Sequence, residues 1–129
     1  MRIEHIAIWT NDLETMRSFY EKYFQASSGP KYVNPKKNFS SYFLTFQEGA
    51  RLELMYKPEI FSAQGKQHAE RIGIIHLAVS VGSEQAVNEL TERLKQDGYQ
   101  VLDGPRTTGD GYYESVILDP ENNLLEITV

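Results

Sequence analysis

An α+β fold built from two consecutive β-α-β-β-β modules is what this sequence predicts, on three observations. A β-branched and aromatic run leads into a capped amphipathic helix and then into further extended stretches, and this order occurs twice. The second occurrence lies over the first: IEHIAIW (3–9) over IIHLAVS (74–80) at an offset of 71 residues, and EGARLELM (48–55) over ENNLLEIT (121–128) at 73. The chain, 129 residues with 40% apolar side chains, has the length of one domain and enough apolar mass for a core. The expected organisation is a single domain over 1–129, with a first module at 1–56, a linker at 57–71 and a second module at 72–129.

Arg2 to Trp9 (RIEHIAIW) has the composition of a strand. Asn11-Asp12 then offers an N-cap. Leu13, Met16, Phe19, Tyr20, Tyr23 and Phe24 recur at helical spacing through LETMRSFYEKYF and give one apolar face for the core. Extended stretches follow around 31–33, from Phe39 to Phe46, and from Arg51 to Tyr56 after a turn at Glu48-Gly49. Lys57 to Arg71 is polar, carries Pro58 and Gly65 and keeps no period, and His68 within it is expected to be solvated. The order then restarts. Ile74 to Val81 reads as a strand, Ser83 caps a helix through AVNELTERLKQDG, and Gly98 is placed to end it. Tyr99 to Leu102, Tyr112 to Asp119 and Leu124 to Val129 are the remaining strands, the last two joined by a turn over Asp119 to Asn123.

Charge and composition exclude several functions. With 13 basic against 18 acidic residues the net charge is −5, and Lys36-Lys37 is the one basic pair that stands out, so the cationic footprint of a nucleic-acid binder is missing. No apolar run approaches the roughly 20 residues of a membrane span, and MRIEHIAIWTND reaches an acid too soon for a signal sequence. The absence of cysteine removes disulfides, thiolate metal sites and cysteine nucleophiles. A cytoplasmic location and a small-molecule partner are the expectation.

The repeat superimposes His5 on His76, Glu53 on Glu126 and Gly49 on Asn122. By strand alternation His5 shares a face with Ile3, Ala7 and Trp9, opposite Glu4, Ile6 and Ile8, while His76 sits with Ile74 and Ala78. Glu53 goes with Arg51 and Met55, opposite Leu52 and Leu54; Glu126 goes with Leu124 and Thr128, opposite Leu125 and Ile127. A single strand histidine or glutamate is ordinarily a rim residue or a cross-strand partner. The recurrence of both types at equivalent positions points instead to a shared role, because burying carboxylates on a sheet needs compensation that a bound divalent cation supplies. Two imidazoles and two carboxylates form an N2O2 set suited to Zn, Ni, Co, Mn or Fe rather than Ca or Mg. Arg51 has two equal readings, a structural partner of Glu53 or a contact for a substrate anion.

On these residues, the paired βαβββ modules, His5, IIHLAV with His76, RLELM with Glu53 and the ending DPENNLLEI with Glu126, the chain resembles the vicinal-oxygen-chelate superfamily, and within it glyoxalase I. The ending corresponds to the family's D-P-x-G-N-x-x-E pattern, with Asn122 where Gly is usual. The resemblance implies cupped mixed sheets with the helices outside, His5, Glu53, His76 and Glu126 as ligands of a divalent transition metal, and a homodimer. It further implies conversion of a 2-oxoaldehyde hemithioacetal to a 2-hydroxyacyl thioester by proton transfer, with Glu126 ahead of Glu53 as the base. Extradiol dioxygenases and fosfomycin-modifying transferases of the superfamily lack a carboxylate at the position of Glu53, methylmalonyl-CoA epimerases typically place Gln there, and bleomycin-type binding proteins lack the ligands. Where glutathione-specific bacterial relatives often carry Arg and Asn, four residues after the first His and the first Glu, this chain has Trp9 and Lys57. That difference implies a smaller or less anionic thiol, with Arg51, Lys57 and Arg106 as the available cations.

Overall fold

The repeat seen in the sequence is also a repeat in strand topology. A computed structural model describes residues 1–60 and 73–129, and the chain divides into two units, Met1–Gln64 and Gly65–Val129. The expected linker falls largely on residues outside the described ones, as does His68.

In the first unit, β1 (His5–Trp9) leads into α1 (Leu13–Phe24), and β2 (Ser27–Ser28), β3 (Tyr32–Asn34), β4 (Phe39–Thr45) and β5 (Arg51–Tyr56) follow. The Asp12 carboxylate caps α1 by accepting from the Glu14 and Thr15 amides, both at 3.0 Å, and Gln25 ends it in the left-handed region at φ 54°. The sheet order is β1-β5-β4-β2, with β3 on the other end of β4; β1 runs parallel to β5, and the other pairings are antiparallel. The extended stretch expected around 31–33 is β3, and β2, which the sequence reading does not contain, is a second short strand on the opposite end of β4. Between them stands Pro30, which has no N–H to give to a ladder. The apolar stripe of α1, all six predicted residues, is buried with Leu44, Leu52 and Leu54 of the sheet. β1 is shorter than the predicted 2–9, because β5 begins only at Arg51, opposite His5, and leaves residues 2 and 3 no ladder partner.

In the second unit, β6 (His76–Ser80), α2 (Glu84–Gln96), β7 (Val101–Thr107), β8 (Tyr113–Leu118) and β9 (Leu124–Thr128) repeat the plan. The order β6-β9-β8-β7, with β6 parallel to β9, matches the first sheet. Ser83 Oγ accepts from the Ala86 amide at 3.1 Å, and Gly98, at φ 91°, follows the helix end where a left-handed residue is needed. β7 runs past the predicted 99–102 because its pairing with β8 continues across two register shifts. At one of them Gly104 (φ 76°) lies so close to β8 that a Cβ there would meet the Glu114 carbonyl oxygen at 2.5 Å. Asp119 shapes the β8–β9 turn by accepting from the Glu121 and Asn123 amides at 2.9 and 2.8 Å, and Asn122 takes the left-handed conformation at φ 66°. Val87, Leu94, Ile117, Leu125 and Ile127 are fully buried between α2 and the sheet. Among the described residues no helix is long and apolar enough to cross a membrane.

Candidate active site

Each sheet turns one face to its helix and leaves the other free of it. In the first unit the helix face holds Leu44, Leu52 and Leu54. Strand alternation therefore puts Glu53 on the opposite face, and the parallel register, His5 with Arg51 and Ala7 with Glu53, sets His5 beside it. His5 Nε2 lies 3.9 Å from Glu53 Oε2, with the imidazole side chain 39% exposed and the carboxylate 14%. Phe43, cross-strand to Glu53, packs its ring nearly perpendicular to the His5 ring, centroids 5.3 Å apart.

The second unit repeats this geometry. Leu125 and Ile127 are buried against the helix, Glu126 is on the other face opposite Ala78, and His76 Nε2 lies 3.3 Å from Glu126 Oε2. The side chains are 38% and 22% exposed. Both histidines stand on strands at the end of their sheets.

The donor set suits a divalent transition ion. Two ligands about 2.0–2.2 Å from a shared ion, at 90–110° to each other, lie about 2.8–3.6 Å apart. The His76–Glu126 pair falls inside that range, and the His5–Glu53 pair needs a small side-chain rotation to reach it. Each unit brings together one nitrogen and one oxygen donor. Among the described residues no group of three or more His, Asp or Glu side chains is gathered as a metal site.

The other predicted contacts are placed as follows. Trp9, 43% exposed, ends β1 on the same face as His5 and meets the Phe39 ring edge-on at 6.2 Å. Lys57 follows the last residue of β5 and is half-buried. Arg51 pairs with Glu4 rather than with Glu53: its Nε donates to Glu4 Oε1 at 2.8 Å, its Nη2 also donates to that oxygen, and its guanidinium lies 4.3 Å from the Phe43 ring centroid. Arg106 Nε donates to Asp103 at 2.7 Å.

Two carboxylates near these pairs were missed from sequence. Strand alternation puts Glu4 on the face opposite His5, yet its Oε2 is 2.5 Å from His5 Nδ1. Alternation fails there because residue 4 precedes β1. The His5 imidazole and then the Arg51 guanidinium hold the Glu4 carboxyl below the usual carboxylate range. Glu114 is opposite Thr128, two residues from Glu126 on the same face, and burial followed by the charge of Glu126 pushes its carboxyl up. Its parity with Val116 was readable, but its neighbours depended on the β8–β9 register.

The model of a family described as the glyoxalase/bleomycin resistance protein/dioxygenase superfamily matches residues 2–127. The uncharacterized protein YqjT of Bacillus subtilis (strain 168) is 30% identical, over 97% of this chain and 96% of its own. Among solved structures, a glyoxylase/bleomycin resistance protein/dioxygenase domain from Frankia sp. EAN1pec superimposes with a TM-score of 0.82 at 18% identity, covering 100% of this chain and 97% of that one. The trypanothione-dependent glyoxalase I of Leishmania major does so with a TM-score of 0.77 at 20% identity, covering 99% and 86%.

Proposed function

We propose, for a chain that belongs to the glyoxalase/bleomycin resistance protein/dioxygenase superfamily, a metal-dependent isomerase of glyoxalase I type acting on a 2-oxoaldehyde thiol hemithioacetal. The observation that carries this reading is the recurrence of one His and one Glu, on the helix-free face and in equivalent parallel registers, in both units. His5, Glu53, His76 and Glu126 are the residues that would hold a divalent Ni, Zn, Co, Mn or Fe ion. When bound, such an ion supplies Lewis acidity to two vicinal substrate oxygens and so acidifies the carbon-bound proton between them.

The chain's own part is proton transfer and recognition. A Glu126 carboxylate oxygen takes the carbon-bound proton and returns it to the adjacent carbon, with Glu53 as the other carboxylate able to do so. Trp9, Arg51 and Lys57 border the thiol portion of the substrate. Trp9 offers it a flat apolar surface where an arginine would offer charge-assisted hydrogen bonds, so the reading favours a small or weakly anionic thiol over glutathione. The reading includes a homodimer.

Elemental analysis of the purified protein together with turnover of matched methylglyoxal hemithioacetals tests this. The expected result is bound transition metal and isomerisation. Glu126→Gln is expected to lower kcat by at least about a hundredfold with little change in KM, since the amide cannot accept the proton. Metal-free protein that takes up no Ni, Co, Zn or Mn would sink the reading and leave a small-molecule binding protein.

A further inference from the structure

We propose that Glu4 is a positioning residue for His5: it accepts the Nδ1–H, fixes that tautomer, and leaves the Nε2 lone pair turned to Glu53. The inference rests on the reading of His5 as a metal ligand only for its consequence, and stands on its own as a statement about the imidazole. Glu4 Oε2 lies 2.5 Å from His5 Nδ1. An ionised carboxylate accepts and cannot donate, so the proton of a neutral imidazole must be on Nδ1.

The carboxylate is held in turn. Its other oxygen, Oε1, takes Arg51 Nε at 2.8 Å and Arg51 Nη2 as well. The guanidinium lies 4.3 Å from the ring centroid of Phe43, and that ring also stands nearly perpendicular to the His5 ring at 5.3 Å. Glu4, Arg51, Phe43 and His5 therefore form a closed circuit. Each oxygen of Glu4 has one task, and the free imidazole nitrogen points to Glu53 Oε2 at 3.9 Å. A carboxylate on the distal nitrogen orients a histidine and raises its basicity as a donor.

The device belongs to one half of the repeat. At the places equivalent to Glu4 and Arg51 the second unit has Ile75 and Leu124, and the register confirms the correspondence, His5 with Arg51 and His76 with Leu124. Neither side chain there can accept a hydrogen bond. The two histidines are thus unequal: His5 is preset by its own unit, whereas among the described residues no carboxylate stands at the equivalent place beside His76.

The test uses the full chain with ¹⁵N-labelled histidine. In metal-free protein above the titration range of imidazole, long-range ¹H–¹⁵N correlation is expected to show His5 as the Nδ1–H form, reverting in Glu4→Ala to the Nε2–H form that free imidazole favours. Glu4→Gln, which keeps an acceptor oxygen, should retain the native tautomer. Calorimetric titration with Co²⁺ should show affinity about ten- to a hundredfold weaker for Glu4→Ala, with a smaller loss for Glu4→Gln. A His5 tautomer unchanged in Glu4→Ala overturns the proposal. A tautomer that switches while Co²⁺ affinity stays within twofold of wild type overturns its consequence for metal binding. If wild-type protein takes up no Co²⁺, the metal reading fails, and the tautomer measurement alone decides the role of Glu4.

Discussion

Thr91 and Ser115 are both buried, and each depends on the other. Thr91 Oγ1 donates its one proton to the Val87 carbonyl at 2.6 Å, so the 2.6 Å contact with Ser115 Oγ must be filled by the serine's proton. Thr91→Val strands the Ser115 hydroxyl inside the second unit and is expected to cost about 1–3 kcal/mol by urea unfolding, whereas Thr91→Val with Ser115→Ala should cost clearly less. Side-chain placement of this kind was only partly legible in the sequence. The faces of Glu53 and Glu126 followed from alternation with the buried Leu52, Leu54, Leu125 and Ile127. The Glu4–His5 contact was hidden, because a period of two holds firmly only within a paired strand, and Glu4 lies just ahead of β1, at the margin of the ladder, with its carbonyl accepting from the Arg51 amide at 3.0 Å.

At the scale of the element, both helices were readable from cap to cap, since caps and apolar periodicity are local signals. The cap of α1 carries a pH signature. Hydrogen bonds from Thr15 and from the Glu14 amide hold the Asp12 carboxyl below its ordinary value. A depressed native pKa gives a contribution that is complete above the unfolded value and lost as pH falls through the native one, so it should fade below about pH 4. Asp12→Asn keeps a capping oxygen that does not titrate. The melting temperature of wild type minus that of the variant is therefore expected to be flat at neutral pH and to decline below about pH 4. β7 extends beyond the predicted 99–102 because its length is set by a partner strand and by two register shifts, neither of which local composition reports. Gly104→Ala should show how tightly that irregularity is built: the left-handed backbone alone costs about 1–3 kcal/mol for a residue with a side chain, and the 2.5 Å approach to Glu114 adds to it.

For the molecule as a whole, internal repetition was the strongest sequence signal, because two copies of a weak pattern test each other. It delivered matching sheet orders and one His–Glu pair per unit. If one ion takes both pairs, His5→Ala and His76→Ala should each abolish metal uptake, and the double variant should lose nothing more. Two independent ions would instead leave about half the metal in each single variant, and elemental analysis separates the two outcomes. The parallel pairing of β1 with β5 and of β6 with β9 has a kinetic side. Each of these pairs closes a loop of roughly 50 residues, whereas β4–β5 and β8–β9 are local hairpins, so the strands that carry His and Glu are expected to meet late in folding. An interaction formed after the rate-limiting barrier slows escape from the native state without hastening arrival. Stopped-flow measurements with and without Co²⁺ should then show the unfolding rate falling while the refolding rate holds, which would make an occupied site a brake on turnover of the protein itself.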